Sequence, residues 1–176
     1  MENTLKKMSI EHLDLIAQGG IGKIYRINDE QILKVFNDIT LEELQKQKAA
    51  ATEVFKAMVP TAISFEMVSV GDKYGIVYEF LNGASVGKTL AEHPERVREI
   101  GERMGLLFKE QHAASMKNRA LEYMNDRVNT WIDRIENRFI KEKDARMLRE
   151  IVKAIPRGNC LLHCDFHEGT LSLSQA

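Results

Sequence analysis

The sequence predicts an α+β fold, in which a small antiparallel sheet with one packed helix precedes a helical segment. Two observations carry this prediction. Up to residue 81, short β-branched and aromatic runs alternate with turn residues, which is typical of strands. After residue 81, long stretches repeat apolar residues with the period of an amphipathic helix. We therefore divide the chain into an N-terminal lobe, 1–81, and a helical C-terminal lobe, 82–176.

Composition narrows the class of protein. The chain has 25 basic and 26 acidic residues and a net charge of −1, so no overall field favours nucleic acid or an anionic membrane surface. The polar N-terminus, 1–8, is not followed by the apolar region of a signal peptide. No apolar run approaches the length of a membrane span. We expect a cytoplasmic protein that binds neither nucleic acid nor membrane.

About five strands are predicted in the N-terminal lobe. The first two flank a glycine turn, and Asn28-Asp29 between two apolar runs is a hairpin signal. Gly71-Asp72 marks a second hairpin in the same way. The predicted strands are 13–16, 24–27, 32–36, 62–70 and 74–80.

A helix is predicted between the third and fourth strands. Thr40 and Glu43 have the spacing of a capping box, in which each residue bonds the other's backbone N–H. Pro60 is expected to end the helix. Its apolar positions, at helical spacing, are Leu44, Ala51, Val54, Phe55 and Met58.

Three helices are predicted in the C-terminal lobe, at 94–116, 126–140 and 143–155. Pro94 suits the first helical position, where a missing N–H costs nothing. Because an amphipathic helix buries its apolar face, we expect most of the methionine and aromatic residues on these faces to be core.

Two features of the N-terminal lobe are candidates for binding an anion. Gly19, Gly20 and Gly22 lie between two strands, where glycine lets backbone N–H groups approach phosphate oxygens; a tight hairpin turn is the alternative. They do not form a P-loop, because no Gly-Lys-Ser/Thr leads into a helix. Lys34, flanked by apolar residues, should be semi-buried and paired with an anion, unless it lies on the exposed strand face.

The segment 163–170 is a candidate for catalysis. The Asp165 carboxylate could accept the proton of a substrate hydroxyl, although a turn or cap aspartate remains the alternative. His163 alone would be a hydrogen-bonded structural residue. A zinc site is a third interpretation, with ligands Cys160, His163, Cys164 and His167. It is less favoured, because structural zinc sites usually combine two separated ligand pairs.

Taken in order, these features resemble the aminoglycoside phosphotransferase and choline kinase group, a branch of the protein-kinase-like fold. His163 and Asp165 match the first and third residues of the family loop His-Gly-Asp-x-x-x-x-Asn. Gly19 and Gly22 match two glycines of the kinase glycine loop, and Lys34 matches the phosphate-contacting lysine. The resemblance extends over residues 13–173.

The resemblance implies an ATP- or GTP-dependent phosphotransferase with Mg²⁺ and a small-molecule hydroxyl substrate. The nucleotide would lie between the lobes, with Gly19, Gly20 and Gly22 over its phosphates. Ile24 would cover the adenine, and the hinge at 78–81 would offer it backbone groups of Glu79 and Leu81. Asp165, with His163 in the same loop, would orient and deprotonate the acceptor hydroxyl.

Departures from the family pattern imply impaired activity. Thr170 stands at the position of the metal-ligating asparagine, and Cys164 replaces a glycine. Gln47 falls near the place of the glutamate that pairs with the lysine, although Glu43 and Glu53 are nearby on the same helix. The family's second metal-binding aspartate is expected beyond residue 176, which makes the helical lobe incomplete. The alternative function is therefore a catalytically inactive nucleotide-binding pseudoenzyme or fragment. Uncovered apolar surface would favour a homodimer or aggregation.

Overall fold

The computed structural model describes residues 5–114, 121–169 and 171–174. Its N-terminal part is a six-stranded sheet, with α1 (Leu41–Lys56) between the fourth and fifth strands. The strand order across the sheet is β1-β5-β6-β4-β3-β2. The strands are β1 (Lys6–Lys7), β2 (Asp14–Gln18), β3 (Gly22–Arg26), β4 (Gln31–Phe36), β5 (Ser64–Val70) and β6 (Lys73–Glu79).

The five predicted strands are confirmed as β2 to β6, and neighbours among them pair antiparallel. The sheet as a whole is mixed, however, because β1 pairs parallel with β5, with Lys6 opposite Val68. This sixth, parallel edge strand was not predicted. Two exposed lysines have no apolar alternation, so only their position beside β5 makes them a strand.

The sheet buries apolar residues on both faces. On one face α1 contributes Leu44, which packs with Phe36 and Ile76. The other face is covered by partly buried residues near the N-terminus, among them Met8 and Leu13. The buried residues of that second face are Tyr25, Leu33, Val35, Val68, Val70 and Val77.

The helix α1 begins as predicted and ends earlier than predicted. The Thr40 side chain accepts from the backbone N–H of Glu43, and the Glu43 carboxylate accepts from the backbone N–H of Thr40, so the capping box is confirmed. The helix ends at Lys56, and Met58 has a left-handed φ of 60°. Met58 is therefore exposed and does not belong to the apolar face. Pro60 keeps the residue before it out of the helical conformation, so the helix stops ahead of it.

The remaining elements contain three helices close to those predicted and three elements that were missed. Pro94 begins a short 3-10 helix instead of the long helix, and positions 115 and 116 of the predicted helix lie outside the described residues. The missed elements are β7 (Gly83–Ser85), α2 (Val86–Glu92) and β8 (Ser172–Ser174), of which β7 pairs with β8. The other helices are α3 (Val97–Ala113), α4 (Met124–Ile135) and α5 (Glu142–Ala154).

Helix α4 ends before the predicted residue 140. Asn137 has a φ of 60°, which is left-handed backbone that an α-helix cannot continue through. Arg149 on α5 donates to Asp133 at 2.6 Å and to Glu136 at 2.6 Å, so this turn is tied to the neighbouring helix. The Arg149 side chain thus stabilises the end of α4, although it lies 13 positions from Glu136 and 16 from Asp133 in the sequence.

The expectation that most aromatic and methionine residues on the helical stripes are core was wrong. Ile132, Ala145 and Val152 form a small buried cluster between α4 and α5. Phe139 lies in the turn after α4 and is 71% exposed. Met147 on α5 is 58% exposed, because two packed helices cover only one flank of each other. This uncovered surface agrees with the apolar exposure expected from the sequence; association through it stays a prediction. In the described part of the chain, no helix combines the length and apolar character needed to cross a bilayer.

We expect Gly22→Ala to lower the free energy of unfolding by about 1–3 kcal/mol, as overpacking does. A Cβ at position 22 would collide with the Val35 carbonyl oxygen and lie 3.1 Å from its carbonyl carbon. Gly20→Ala is the matched control, because a Cβ there meets nothing within 4 Å. Urea denaturation measures both variants. Equal stability of the two would contradict the close β3–β4 approach.

Candidate functional site

The glycine turn joins β2 to β3 and is held by one asparagine. The Gly19 N–H donates to the Gly22 carbonyl at 2.9 Å, which closes the turn. The Asn37 side chain donates to the Gly20 carbonyl at 3.0 Å, and its backbone N–H donates to the Ile21 carbonyl at 3.0 Å. Added Cβ atoms at Gly19 and Gly20 would meet open space, so these two glycines can be approached by a ligand.

The three glycines therefore have different roles in the fold. Gly22 is required by its contact with β4, whereas no neighbouring atom restricts Gly19 or Gly20. The turn therefore agrees with both interpretations of the sequence: it is a tight hairpin turn, and it leaves space for a ligand at Gly19 and Gly20. Asn37 was missed by the sequence analysis, and the only available signal was a polar residue directly after a predicted strand.

Lys34 lies in the middle of the sheet on the face that α1 covers. It is opposite Ile24 on β3 and opposite Ile76 on β6, and cross-strand partners share a face. Its Nζ is 5.1 Å from the centroid of the Phe36 ring. Burial lowers the pKa of the Lys34 amine below its ordinary value of 10.5, because desolvation disfavours the ammonium form. The predicted semi-burial of Lys34 is confirmed.

No carboxylate within the described ranges forms an ion pair with Lys34. On α1, Glu43 bonds Thr40 in the capping box and Glu53 pairs with Lys56 at 2.9 Å. Gln47, at the position expected for a pairing glutamate, has no charge to offer. The half-buried ammonium thus lacks the helix glutamate that the resemblance implies.

The segment after β6 is shaped by Glu79. Its backbone N–H donates to the Ile63 carbonyl at 2.8 Å, and its carboxylate accepts from the Ile63 N–H at 3.1 Å. The Phe80 N–H donates to the Glu30 carbonyl at 2.7 Å, and the Leu81 carbonyl accepts from the Gly83 N–H at 2.9 Å. Glu79 therefore fixes the path of the chain as it leaves the sheet, a role that the sequence analysis did not find.

Asp165 lies in an exposed loop between two histidines. Its backbone N–H donates to the His163 Nδ1 at 3.3 Å, and its side chain is 70% exposed. Cys164 has a left-handed φ of 64°, a conformation that glycine adopts at no steric cost. The family resemblance places glycine at this position, a residue type that adopts such a φ readily.

The other residues of this loop are positioned by aromatic and histidine contacts. Phe166 packs edge-on against Phe108 of α3, with ring centroids 5.0 Å apart, and against His163 at 5.7 Å. The His167 Nε2 is 3.5 Å from the Asp165 Oδ1, and the His167 Nδ1 accepts from the Gly169 N–H at 3.0 Å. Thr170, the predicted metal ligand, lies outside the described residues.

The zinc interpretation receives no support from the described residues. Within 5–114, 121–169 and 171–174, no three histidine, cysteine or acidic side chains form a cluster that could hold a metal ion. Cys160 and Cys164 are exposed and have free thiols. The Cys164 Sγ lies 3.8 Å from the Met124 Sδ instead of contacting a histidine.

A cavity of about 430 Å³ lies between the start of α4 and the segment 155–164. Its lining includes Tyr123, Met124, Leu161 and Cys164, and none of the residues of the glycine turn. It is formed by segments about 30 residues apart in sequence, and no local motif indicated it.

The structure assembles the predicted site residues into two groups. Ile24 and Lys34 are cross-strand partners below the glycine turn, and His163 and Asp165 are joined by a hydrogen bond. The first group lies on β3 and β4, and the second lies in the loop after α5.

Comparison with known protein families identifies a match over most of the chain. The sequence model of the phosphotransferase enzyme family matches residues 12–174, which include both groups of site residues. No curated protein matches the chain.

We expect Lys34→Met to raise the free energy of unfolding at pH 7, because burial penalises the ammonium in the folded state only. The folded state holds this proton less tightly than the unfolded state. The penalty is therefore complete below the lowered pKa, and it disappears as the pH rises towards the ordinary value of 10.5. The difference in the free energy of unfolding between the Lys34→Met variant and the parent should therefore decrease over that pH range. Urea denaturation at several pH values measures it, with exposed Lys73→Met as the control; an advantage independent of pH would contradict this cause.

Proposed function

Because the chain belongs to the phosphotransferase enzyme family, we propose that it transfers the terminal phosphate of ATP or GTP to a hydroxyl group of a small molecule. The observation that carries the proposal is the environment of the Lys34 amine. It is half-buried, and no described carboxylate forms an ion pair with it. A desolvated ammonium gains most from a strong anion, and nucleotide phosphates supply one.

The nucleotide would bind on the α1 side of the sheet, in the lobe 1–81. Gly19 and Gly20 leave open space beside the turn for the phosphates, and Gly22 keeps the turn close to β4. Ile24, opposite Lys34, would contact the base. At the hinge the Leu81 N–H makes no hydrogen bond to any described residue, so it can donate to the base. Glu79 would contribute its backbone carbonyl, since its backbone N–H and its carboxylate are both bonded to Ile63.

Magnesium would neutralise charge on the transferred phosphate, and the Thr170 hydroxyl is its proposed ligand. Mg²⁺ in such enzymes is commonly held by one or two protein groups together with the substrate phosphates. A site of this kind needs no cluster of three protein ligands, so the described residues are compatible with it.

Asp165 would receive the proton of the acceptor hydroxyl in the lobe 82–176. Its carboxylate is exposed, as an acceptor requires, and its backbone is tied to His163. General-base help of this kind supplies roughly 10²–10⁴-fold in rate, and the rest of catalysis comes from positioning and charge neutralisation. The free thiols of Cys160 and Cys164 suit a reducing cytoplasm.

We expect Lys34→Ala to weaken Mg·ATP binding by roughly ten- to 150-fold, since a charge-assisted hydrogen bond contributes about 1.5–3 kcal/mol. Isothermal titration calorimetry measures the change. Lys73→Ala removes an exposed lysine at the start of β6 and is the matched control. Equal affinity of the Lys34 variant and the parent would remove Lys34 from the proposed site.

We expect Asp165→Asn to reduce phosphate transfer by about 10²-fold or more while leaving nucleotide affinity unchanged, because the amide accepts no proton. A screen of hydroxyl compounds with labelled ATP measures the transfer. Asp72→Asn, in the exposed turn between β5 and β6, is the control. A parent chain that binds nucleotide but phosphorylates no acceptor would favour the alternative, nucleotide binding without transfer.

A further inference from the structure

The backbone favours one tautomer of the neutral His167 imidazole, although the Glu168 carboxylate also lies 3.9 Å from Nδ1. The Gly169 N–H donates to the His167 Nδ1 at 3.0 Å. A nitrogen that accepts a hydrogen bond carries no hydrogen, so the neutral ring has its hydrogen on Nε2. Nε2 is the ring nitrogen that faces Asp165, 3.5 Å from Oδ1. The ring therefore presents a donor to the carboxylate that the proposed reaction uses.

The backbone that supports this ring is tied to the start of α2. The Gly87 N–H donates to the Glu168 carbonyl at 3.0 Å, which anchors the residue before Gly169. A Cβ at position 169 would lie 2.8 Å from the His167 Cε1 and 3.1 Å from Nδ1, so any side chain there would displace the ring. Gly169 is thus needed for close contact with the ring, and its φ is not left-handed.

Asp165 needs such support because its side chain is largely in solvent. Holding a carboxylate in the one rotamer that a reaction requires costs conformational entropy, even where the carboxylate has other partners. A donor on a ring fixed by the backbone restricts those rotamers beforehand. The 3.5 Å separation is at the outer limit of a hydrogen bond, and catalytic bonds are often long before substrate binds.

We propose that His167 is a positioning residue for phosphate transfer, whose Nε2–H holds the Asp165 carboxylate in the orientation that receives the acceptor hydroxyl. The inference rests on the proposed function of Asp165. A purely structural role would instead depend on Nδ1, which accepts the Gly169 N–H and stabilises the turn. The two roles use different nitrogens of the same ring, and substitutions can separate them.

Two substitutions of His167 form the test. A glutamine amide nitrogen lies near the place of Nε2 and keeps a donor for Asp165, whereas an asparagine oxygen lies near Nδ1 and keeps an acceptor for Gly169. If the inference holds, His167→Gln retains most of the parent kcat. His167→Asn lowers kcat about ten- to a hundredfold, as misplacement of a reacting group does. Acceptor KM and nucleotide affinity stay close to those of the parent in both variants.

The outcomes separate the inference from the function on which it rests. An active parent whose Asn variant keeps kcat while its Gln variant loses it would overturn the positioning role and leave the function standing. Equal kcat in parent, Gln and Asn variants would overturn it as well. A parent that phosphorylates no acceptor overturns the proposed function, and the role of His167 in transfer with it.

A measurement on the resting protein tests the ring geometry without turnover. Long-range ¹H–¹⁵N NMR correlations of the imidazole distinguish its two neutral tautomers. We expect the Nε2–H form in the parent, and a changed tautomer balance in Gly169→Ala. Gly158→Ala, where the nearest atom to an added Cβ is 4.0 Å away, should leave it unchanged. An Nδ1–H tautomer in the parent would overturn the inference.

Discussion

The register of β4 between β3 and β6 is the constraint on which the proposed nucleotide site depends. Side chains alternate between faces along a strand, so a slip of one residue would move Lys34 to the opposite face and away from α1. Gly22 helps to hold this register, because only a glycine leaves room for the Val35 carbonyl. The Asn37 side chain donates to the Gly20 carbonyl, which attaches the glycine turn to the chain after β4.

The loop around Asp165 is organised by a different principle, in which short-range hydrogen bonds replace the sheet. Asp165 lies between two histidines, one accepting from its backbone and the other facing its carboxylate. The left-handed backbone at Cys164 makes the turn between His163 and Asp165 possible. Packing of Phe166 on Phe108 attaches the loop to α3. In the proposed reaction, the sheet would supply the charge of Lys34 and the loop would supply the orientation of Asp165.

The helical part illustrates the limit of reasoning from periodicity. The apolar stripes of α4 and α5 are real, and Ile132 and Val152 are buried on them as the 3.6-residue period requires. The same period does not show how much of each apolar stripe a neighbouring element covers. Here each helix covers one flank of the other, so Met147 and Ile151 remain exposed although they lie on a regular apolar face.

The sequence by itself determined the features that depend on neighbours in the chain. The hairpins at Asn28-Asp29 and Gly71-Asp72, the capping box at Thr40 and the half-burial of Lys34 follow from local turn chemistry and from alternation along a strand. Only the tertiary structure decided the pairing of β1 with β5 and of β7 with β8. The same holds for the contact of Glu79 with Ile63 and for the contact of Arg149 with the residues at the end of α4. These contacts join residues 13 to about 90 positions apart, and no local pattern encodes which distant partner a side chain meets.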